Sequence, residues 1–413
     1  MARPTVARID LDALAHNVAA IRGLVGRRAI CAAVKADAYG HGAAVLCHEL
    51  RRAGVDMFGV AMTEEAVDLR RVGIENPIIL LSAVPPEDVG ALIEYGATAC
   101  VCDEDFAREL AAEAVARGTV AEAHVNVDTG MHRVGLPWET AAAGIVRVSR
   151  LAGLRITGVF SHFACSDADD LTFSHRQVRR LRSVLGQLRR AGVQVPFVHM
   201  ANSNGVLRLP GAYFDGVRPG LIIYGLYPRA DLRAVVDLKP VLSMRTRVGH
   251  CMRLPEGEKV GYGHTFTTWR ESVIAMLPIG YHDGYIRQFS NVGEVLVRGR
   301  RAPVVGRVCM DQTLVDVTEV PDVRVGDEVV IYGGQGTDFI SIEEMAERVD
   351  RIPYELTCCV GPRVRREFVL NGEVVVETPF RSAVPSGSWR ERFLNAASSN
   401  ETLDTDALKR GAA

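Results

Sequence analysis

Short apolar runs alternate with amphipathic, Ala/Leu/Arg-rich segments from residue 30 to about residue 225. The runs are AICAAVKA, MFGVAM, PIILLSA, TACVC, AHVNVD, ITGVFSHF, FVHMANS and GLIIYGL. Continuous apolar runs are typical of parallel strands covered on both faces, and helical segments between them indicate βαβ connections. Eight such units predict an α/β fold with a closed (β/α)8 barrel over residues 11–232. An open doubly wound sheet is the competing interpretation, because a count of strands does not prove closure.

The sequence changes character after about residue 235. Strand-like stretches such as SVIAMLPIGY, TLVDVTEV and DEVVIYGG are broken by Gly, Pro and Asp turns. This pattern predicts a mainly antiparallel β domain over residues 233–375. The early TVARIDL is also strand-like, so residues 1–10 are expected to pair with that domain. From residue 376 to 413 the chain is rich in Ser, Thr, Asn and Pro, which predicts a polar, poorly ordered tail.

Bulk composition narrows the class of protein. The 413 residues are 48% hydrophobic and carry a formal net charge of −2, which argues against a nucleic-acid or membrane partner. No apolar stretch reaches the roughly 18 residues of a membrane span, and the start lacks a signal-peptide layout. The nine cysteines show no paired CxxC spacing, so we expect thiols rather than zinc or any other metal site. A cytoplasmic protein is the simplest expectation.

Lys35 is unusual in this chain. Of 48 basic residues only four are lysines, so arginine is the usual choice where positive charge alone is needed. Lys35 ends the first predicted barrel strand, and the carboxyl ends of barrel strands carry catalytic groups. Desolvation lowers the pKa of a lysine and frees its amine to act as a base or to form a Schiff base. A surface lysine that extends its amine to water is the alternative.

Four loops after barrel strands carry candidate binding residues. Ser203 in NSN, with the backbone of Gly220 and Leu221 in RPGLIIYG, could hold a phosphate, since barrel enzymes often use the last two loops for this purpose. Arg133 in HVNVDTGMHRVG could bind a carboxylate through two parallel hydrogen bonds. His162 in FSHFA follows strand six. The alternatives are ordinary turns, a solvated arginine and a core histidine.

The β domain adds tyrosines that lie in loops. Tyr262 in VGYGHTF, Tyr281 in IGYHDGY and Tyr354 in RIPYEL stand beside glycine or proline, and VCMDQ contains Met310 and Asp311. A loop phenol can act as an acid or base when a neighbour tunes it. Packing of the rings at a domain or subunit contact is the alternative.

Together these segments resemble the alanine racemases, pyridoxal-phosphate enzymes with a barrel and a C-terminal β domain. The resemblance runs from about residue 5 to about residue 370. Its motifs, all in the family's order, are AAVKADAYGHG, VDTGMHRVG, SHFA, NSNG, VRPGLIIYG, VGYG, IGYHDG, GRVCMDQ and YEL.

The resemblance implies roles for the site residues. Lys35 would carry pyridoxal 5'-phosphate covalently and act as one of two catalytic bases. Tyr262, supplied by the partner subunit of a homodimer, would be the base on the opposite face of the substrate. The remaining cofactor-binding residues would be Tyr39, His162, Ser203, Arg218, Gly220, Leu221 and Tyr354.

Substrate binding and support are implied in the same way. Arg133 and the backbone N–H of Met310 would hold the substrate carboxylate, and His162 would link Arg218 to Tyr262. Tyr281, Asp311 and Asn126 would be supporting residues.

Two positions distinguish this chain from relatives. Arg218, as a permanent cation at the pyridine nitrogen, disfavours ring protonation and favours racemase over the related decarboxylases, which place a carboxylate there. Asn126 stands where many family members carry a carbamylated lysine that orients the arginine. We therefore expect no modified lysine, and Arg133 positioned by hydrogen bonds or by an anion such as chloride.

The function implied is interconversion of L- and D-alanine, with D-alanine supplied for peptidoglycan. A racemase of another amino acid such as serine is the nearest alternative. A decarboxylase and a non-catalytic carrier of pyridoxal phosphate are weaker alternatives, because Arg218 argues against the first and the β domain with Tyr262 against the second.

Overall fold

A computed structural model describes residues 3–378 and 389–397 of the chain. These residues divide into two compact units. The barrel unit comprises Ala15–Ala38 and Leu46–Leu238, and the β unit comprises Met1–Leu14, Tyr39–Val45 and Lys239–Ala413. The domain boundaries predicted from sequence remain a prediction. Within the part of the chain that is described, no helix has the length and apolar character needed to span a bilayer.

The regular elements are given in chain order. The strands are β1 (Val6–Asp10), β2 (Ala29–Ala33), β3 (Met57–Val60), β4 (Ile78–Leu80), β5 (Ala99–Val101), β6 (Ala121–Asp128), β7 (Leu136–Pro137), β8 (Leu154–Phe160), β9 (Val198–His199), β10 (Gly216–Val217), β11 (Leu242–Arg247), β12 (His250–Leu254), β13 (Lys259–Val260), β14 (Phe266–Thr267), β15 (Ser272–Leu277), β16 (Glu294–Val297), β17 (Arg300–Pro303), β18 (Thr313–Asp316), β19 (Glu328–Gln335), β20 (Asp338–Ile340), β21 (Arg365–Leu370) and β22 (Glu373–Glu377). The helices are α1 (Leu11–Val25), α2 (Lys35–Tyr39), α3 (Ala43–Arg52), α4 (Thr63–Arg71), α5 (Val89–Glu94), α6 (Glu104–Ala116), α7 (Trp138–Val148), α8 (Thr172–Arg190), α9 (Ser203–Arg208), α10 (Ile342–Arg348) and α11 (Pro353–Cys358).

The barrel unit contains a ring of eight parallel strands. Its order is β4-β3-β2-β10-β9-β8-β6-β5, and a parallel bridge between Ile79 and Thr98 joins the two ends. Thr98 also exchanges backbone hydrogen bonds with Ile78 and Leu80. The predicted (β/α)8 barrel is thereby confirmed over the open sheet.

The outer helices follow from the amphipathic segments. In α8 the buried positions include Gln177, Leu181, Val184 and Leu188, spaced three or four residues apart, whereas most of its arginines face away. That spacing places one apolar stripe against the strands. Asp103 begins α6 by accepting a hydrogen bond from the backbone N–H of Phe106, as an N-cap residue does.

One predicted strand is wrong. The run GLIIYGL forms a 3₁₀ turn over Leu221–Tyr224, and the eighth barrel strand is instead the two-residue β10 just before it. Every side chain from Leu221 to Tyr224 is buried. A short apolar run that is buried all round has no periodicity to separate a strand from a helical turn.

The β unit is built on a sheet ordered β17-β16-β19-β11-β1-β21-β22, with β20 paired to β19. Strand β1 is internal to this sheet, antiparallel to β11 and parallel to β21, so TVARIDL pairs as expected. Strands β12, β15 and β18 form a smaller antiparallel sheet. The predicted antiparallel β domain is confirmed.

Most of the predicted tail lies outside the described residues. Within it, residues 389–397 form a helix in which Trp389 and Phe393 are buried.

Candidate active site

The chain turns in an unusual way directly after Lys35. Ala36, Asp37, Ala38 and Tyr39 all have φ of 53° or 54°, so α2 is a left-handed turn. This conformation costs an L-residue other than glycine roughly 1–2 kcal/mol. The Ala36 N–H donates to Glu65 Oε1 at 2.6 Å and the Ala38 N–H donates to the Val34 carbonyl at 2.8 Å, which help to hold the turn. Strain of this kind persists only where the surrounding structure holds it in place, and the turn begins at the half-buried Lys35.

Arg218 follows β10 and is buried in the barrel unit, with 3% of its surface exposed. Its guanidinium donates to His199 Nδ1 at 2.7 Å, to the Ser161 carbonyl at 2.7 Å, to His162 Nδ1 at 3.2 Å and to the Met200 carbonyl at 3.3 Å. All four acceptors are neutral, and no carboxylate in the described ranges pairs with it. Burial lowers the pKa of Arg218 to about 10, so the group remains a cation at neutral pH.

The contact with Arg218 fixes the tautomers of a buried histidine pair. A guanidinium can only donate, so His199 accepts at Nδ1 and carries its proton on Nε2. That Nε2–H donates to His124 Nδ1 at 2.8 Å, which places the proton of His124 on its own Nε2. Burial, and then the charge of Arg218, lowers the pKa of His124 to about 4 and that of His199 well below its ordinary value. Both rings are therefore neutral, and each accepts through Nδ1 in a chain of hydrogen bonds that begins at Arg218.

His162 lies on the same guanidinium. Because Arg218 donates to its Nδ1, the proton of His162 is on Nε2. Burial is the largest cause that lowers its pKa to about 3, followed by the positive charges of Arg218, Arg133 and Lys35. The predicted residues Lys35, Arg133 and Arg218 therefore lie close enough for their charges to act on His162.

The last two barrel loops meet at Ser203. The Gly220 N–H donates to Ser203 Oγ at 3.0 Å, so the serine hydroxyl keeps its own proton for another acceptor. Neighbouring Asn204 is buried, and its Oδ1 has no hydrogen-bond partner among the residues described. Leu221 begins the 3₁₀ turn that follows Gly220. A buried polar oxygen without a partner indicates that a ligand or water completes this loop pair.

The loop after β6 carries Arg133. Asp128 closes the loop by accepting hydrogen bonds from the backbone N–H groups of Gly130 and His132 and from the His132 ring. Arg133 is exposed, and its guanidinium makes no hydrogen bond or ion pair within residues 3–378 and 389–397. Asn126 is buried, and a Cβ on Gly135 would lie 2.9 Å from its carbonyl and amide oxygens. That hydrogen bonds or an anion such as chloride position Arg133 therefore remains a prediction.

Two loops of the β unit are joined through Gly280. The Tyr281 N–H donates to the Cys309 carbonyl at 3.0 Å, and the His282 N–H donates to the Met310 carbonyl at 3.2 Å. A Cβ on Gly280 would lie 2.3 Å from the Cys309 carbonyl oxygen, so only glycine allows this approach. Tyr281 and Met310 are consequently held side by side and exposed.

A buried carboxylate organises the same region. Asp283 is fully buried and accepts from Arg3 at 2.6 and 2.8 Å, from Arg363 Nε at 3.1 Å and from the Gly280 N–H at 2.9 Å. Arg363 also donates to the exposed Asp311 at 2.8 Å. The predicted supporting residue Asp311 is therefore tied to the Tyr281 loop through Arg363 and Asp283.

The remaining tyrosines of the β unit differ in exposure. The ring of Tyr39 lies 5.8 Å from that of Tyr354, centroid to centroid, at a tilt of 41°. Tyr262 begins a 3₁₀ turn between Gly261 and Gly263, and 72% of its surface is exposed. An exposed phenol between two glycines is available to a second molecule.

Family models match both units of the chain. The alanine racemase N-terminal domain matches residues 9–228, and the alanine racemase C-terminal domain matches residues 241–368.

The chain belongs to the alanine racemase family. It is accordingly an amino-acid racemase, an isomerase, and its individual relatives agree. The chain is 42% identical over 374 residues to alanine racemase 2 of Caldanaerobacter subterraneus subsp. tengcongensis, covering 90% of this chain and 96% of that protein. A 42% identity to the alanine racemase of Halothermothrix orenii extends over 367 residues, which is 89% of this chain and 97% of the relative.

Solved structures of racemases share the fold. Alanine racemase of Clostridium difficile 630 superimposes with a TM-score of 0.88 at 33% identity, covering 92% of this chain and 99% of that one. Alanine racemase from Bartonella henselae with covalently bound pyridoxal phosphate gives a TM-score of 0.79 at 29% identity, covering 89% and 99% of the two chains.

The histidine pair of this racemase was not predicted from the sequence. His199 and His124 lie in FVHMANS and AHVNVD, two of the apolar runs predicted as barrel strands. Two histidines inside apolar barrel strands were a signal for a buried hydrogen-bonded pair, since a buried imidazole needs a partner.

Proposed function

We propose that this racemase interconverts L- and D-alanine with pyridoxal 5'-phosphate, using Lys35 and Tyr262 of the partner subunit as its two bases. The observation that carries the proposal is the environment of Arg218, a buried cation surrounded by neutral acceptors and adjacent to neutral His162. A carboxylate at this position would favour protonation of a pyridine nitrogen, whereas Arg218 disfavours it.

The residues of the barrel unit fit the cofactor. When bound, pyridoxal phosphate withdraws electrons from the Cα of the attached amino acid and makes the Cα proton acidic. Lys35 would hold it covalently, and Arg218 would face its pyridine nitrogen as a permanent cation. The Ser203 hydroxyl, whose oxygen already accepts from Gly220, has its proton available for a phosphate oxygen. We add Leu221, Tyr39 and Tyr354 to the phosphate site on the family resemblance.

Arg133 would hold the substrate. It has no intramolecular ion pair in the described residues, so its guanidinium can donate to a substrate carboxylate without first losing another partner. The backbone N–H of Met310 is proposed as a second donor to that carboxylate. Without substrate, an anion such as chloride would lie beside Arg133 and Asn126, and we expect no carbamylated lysine there.

Racemisation requires proton transfer on both faces of Cα. The Lys35 amine would take or return the Cα proton on one face, and the phenol oxygen of Tyr262 of the partner subunit would do so on the other. His162 supports the second base, because its tautomer leaves the Nε2–H free to donate to a phenol oxygen while Nδ1 accepts from Arg218.

A homodimer follows from this assignment. The high exposure of Tyr262 supports its use by a second subunit, and exposed Tyr281 and Met310 would line the same contact. We also propose a cytoplasmic location, supported by nine cysteines that form no disulfide, and a role in supplying D-alanine for peptidoglycan.

Complementation between inactive subunits tests the two-subunit site. Lys35→Ala and Tyr262→Phe are each expected to lose almost all racemase activity, and Lys35→Ala should also lose the visible absorbance of bound cofactor. Mixed at equal amounts and allowed to exchange, they should recover about a quarter of the wild-type rate, because half of the dimers are mixed and each has one intact site. No recovery from proven mixed dimers would refute supply of Tyr262 by the partner.

A substrate panel tests the amino acid. L-alanine should give the highest kcat/KM, and a higher value for L-serine would replace alanine as the substrate. Release of carbon dioxide would revive the decarboxylase alternative.

A further inference from the structure

Two thiols meet at the carboxyl end of barrel strand β5. Cys100 belongs to the strand and Cys102 follows it, so their side chains lie on the same side of the chain. Their sulfur atoms are 3.4 Å apart, which is hydrogen-bond distance for sulfur. Cys100 is completely buried, whereas Cys102 is partly exposed at the start of the loop that leads into α6.

The surroundings of the two sulfurs differ. The Cys100 thiol and the backbone N–H of Gly135 stabilise negative charge on Cys102, and the pKa of Cys102 is lowered despite partial burial and Asp103. The hydrogen bond to Cys102, and then burial, raises the pKa of Cys100 well above its ordinary value. This asymmetry is typical of a reactive thiolate beside a resolving thiol.

We propose that Cys100 and Cys102 form a redox-sensitive dithiol that a peroxide closes to a disulfide. The Cys102 thiolate attacks one peroxide oxygen and the O–O bond breaks, so that Cys102 becomes a sulfenic acid. The departing hydroxide takes up the proton that the thiol had released and leaves as water. The Cys100 sulfur then attacks the Cys102 sulfur, loses its proton and displaces a second water. Two thiols and one hydrogen peroxide thus give one disulfide and two waters, and a dithiol reductant reverses the change.

The spacing predicts an easily reduced disulfide. Alternate residues of an extended strand are about 6.6 Å apart at Cα, from a rise of about 3.3 Å per residue. This value is near the upper end of the range of roughly 4.4–6.8 Å that disulfides span. The strand end must therefore contract to close the bond, and a bond formed under tension is reduced more readily.

Among the other thiols, two are too buried to ionise and two exposed ones can be replaced. Burial raises the pKa of Cys31 to about 12 and that of Cys47 well above its ordinary value, so neither forms a thiolate at neutral pH. Cys358 and Cys359 are exposed and would consume oxidant. Replacing both by serine removes the two exposed competitors of the proposed pair.

Closure would change the loop that carries Arg133. The Asn126 amide stabilises the Cys100 sulfur, and Gly135 donates to Cys102, so both contacts are disturbed when the sulfurs move together. Gly135 is two residues beyond Arg133 and packs on Asn126. This consequence rests on the proposed function, in which Arg133 holds the substrate carboxylate. Formation of the disulfide does not depend on that function.

Peptide mass after oxidation tests the modification. Trypsin should release Val72–Arg108, which contains both thiols and no other cysteine. In the Cys358→Ser/Cys359→Ser protein, one equivalent of hydrogen peroxide should yield this peptide two hydrogens lighter and resistant to alkylation until dithiothreitol is added. Further replacement of Cys102 by serine should abolish the change, and replacement of Cys165, which lies outside this peptide, should not. A peptide that stays fully alkylated, or carries only sulfinic acid, overturns the proposal.

Kinetics on the same samples test the consequence. Closure is expected to raise KM for L-alanine several-fold with a smaller change in kcat, and dithiothreitol should restore it. A closed disulfide with unchanged KM overturns control through Arg133. A reduced protein that racemises no amino acid refutes the proposed function, and the peptide masses still decide the disulfide.

Discussion

Replacing His124 by phenylalanine should change how the stability of this racemase depends on pH. The pKa of His124 is about 4 in the folded protein, against about 6.5 for an unperturbed histidine. The unfolded chain therefore binds a proton on His124 between these values and the folded protein does not. Above pH 6.5 the ring is neutral in both states and the folded protein keeps its full stability. The free energy of unfolding then decreases as the pH falls from 6.5 toward 4.

The magnitude follows from the two pKa values and one hydrogen bond. In that window one buried histidine contributes a slope of about 1.4 kcal/mol per pH unit, or about 2 kcal/mol between pH 7 and pH 5. Phenylalanine removes this slope. It also leaves the buried Nε2–H of His199 without its acceptor at 2.8 Å, which costs about 1–3 kcal/mol at every pH.

The two proteins should therefore converge on acidification. Free energies of unfolding from urea titrations at pH 7, 6 and 5, at one protein concentration, measure this directly. The variant should be about 1–3 kcal/mol less stable at pH 7 and close to the wild type at pH 5. Exposed His175, replaced by glutamine, is the matched control for loss of an imidazole. Parallel curves for wild type and His124→Phe would refute a neutral, buried His124.

Two further replacements test the carboxylate cluster and the phosphate loops. Asp283→Asn removes a fully buried carboxylate from Arg3 and Arg363 and should lower the free energy of unfolding by about 3–5 kcal/mol. In the same urea titration, replacement of the exposed carboxylate in Asp311→Asn should cost less than about 1 kcal/mol. Equal losses in the two variants would contradict the cluster. Ser203→Ala leaves the Gly220 N–H without its acceptor and removes a proposed phosphate donor, so the dissociation constant of pyridoxal phosphate, measured by fluorescence titration, should rise about tenfold. An unchanged constant would remove Ser203 from the phosphate site.

The sequence was most informative where patterns are long and repeated. Eight alternating units predicted the barrel, and the change of texture after residue 235 predicted the β unit. The pattern was insufficient for GLIIYGL, because a run buried on every side carries no periodicity. The result was a strand predicted where a 3₁₀ turn lies.

Site residues were predictable to the extent that chemistry singled out their residue types. Lys35 was conspicuous in a chain that prefers arginine, and Arg218 was recognised through its motif. The histidines that hold Arg218 were not, since their meaning depends on contacts between strands far apart in sequence. The left-handed turn in AAVKADAYGHG was also not predictable, because alanine, present at Ala36 and Ala38, favours the right-handed helix.

The position of β1 has a consequence for biosynthesis. Val6 in β1 pairs with Arg365 in β21, so this sheet cannot be completed until most of the chain has been synthesised. At about 5–20 residues per second, the ribosome needs roughly 20–70 s to cover that separation. The barrel segments up to Leu238 emerge well before then. Nascent chains are therefore expected to carry a folded barrel and an amino-terminal strand that can pair with β11 but still lacks β21, and chaperone binding to this open edge of β1 would matter most in that period.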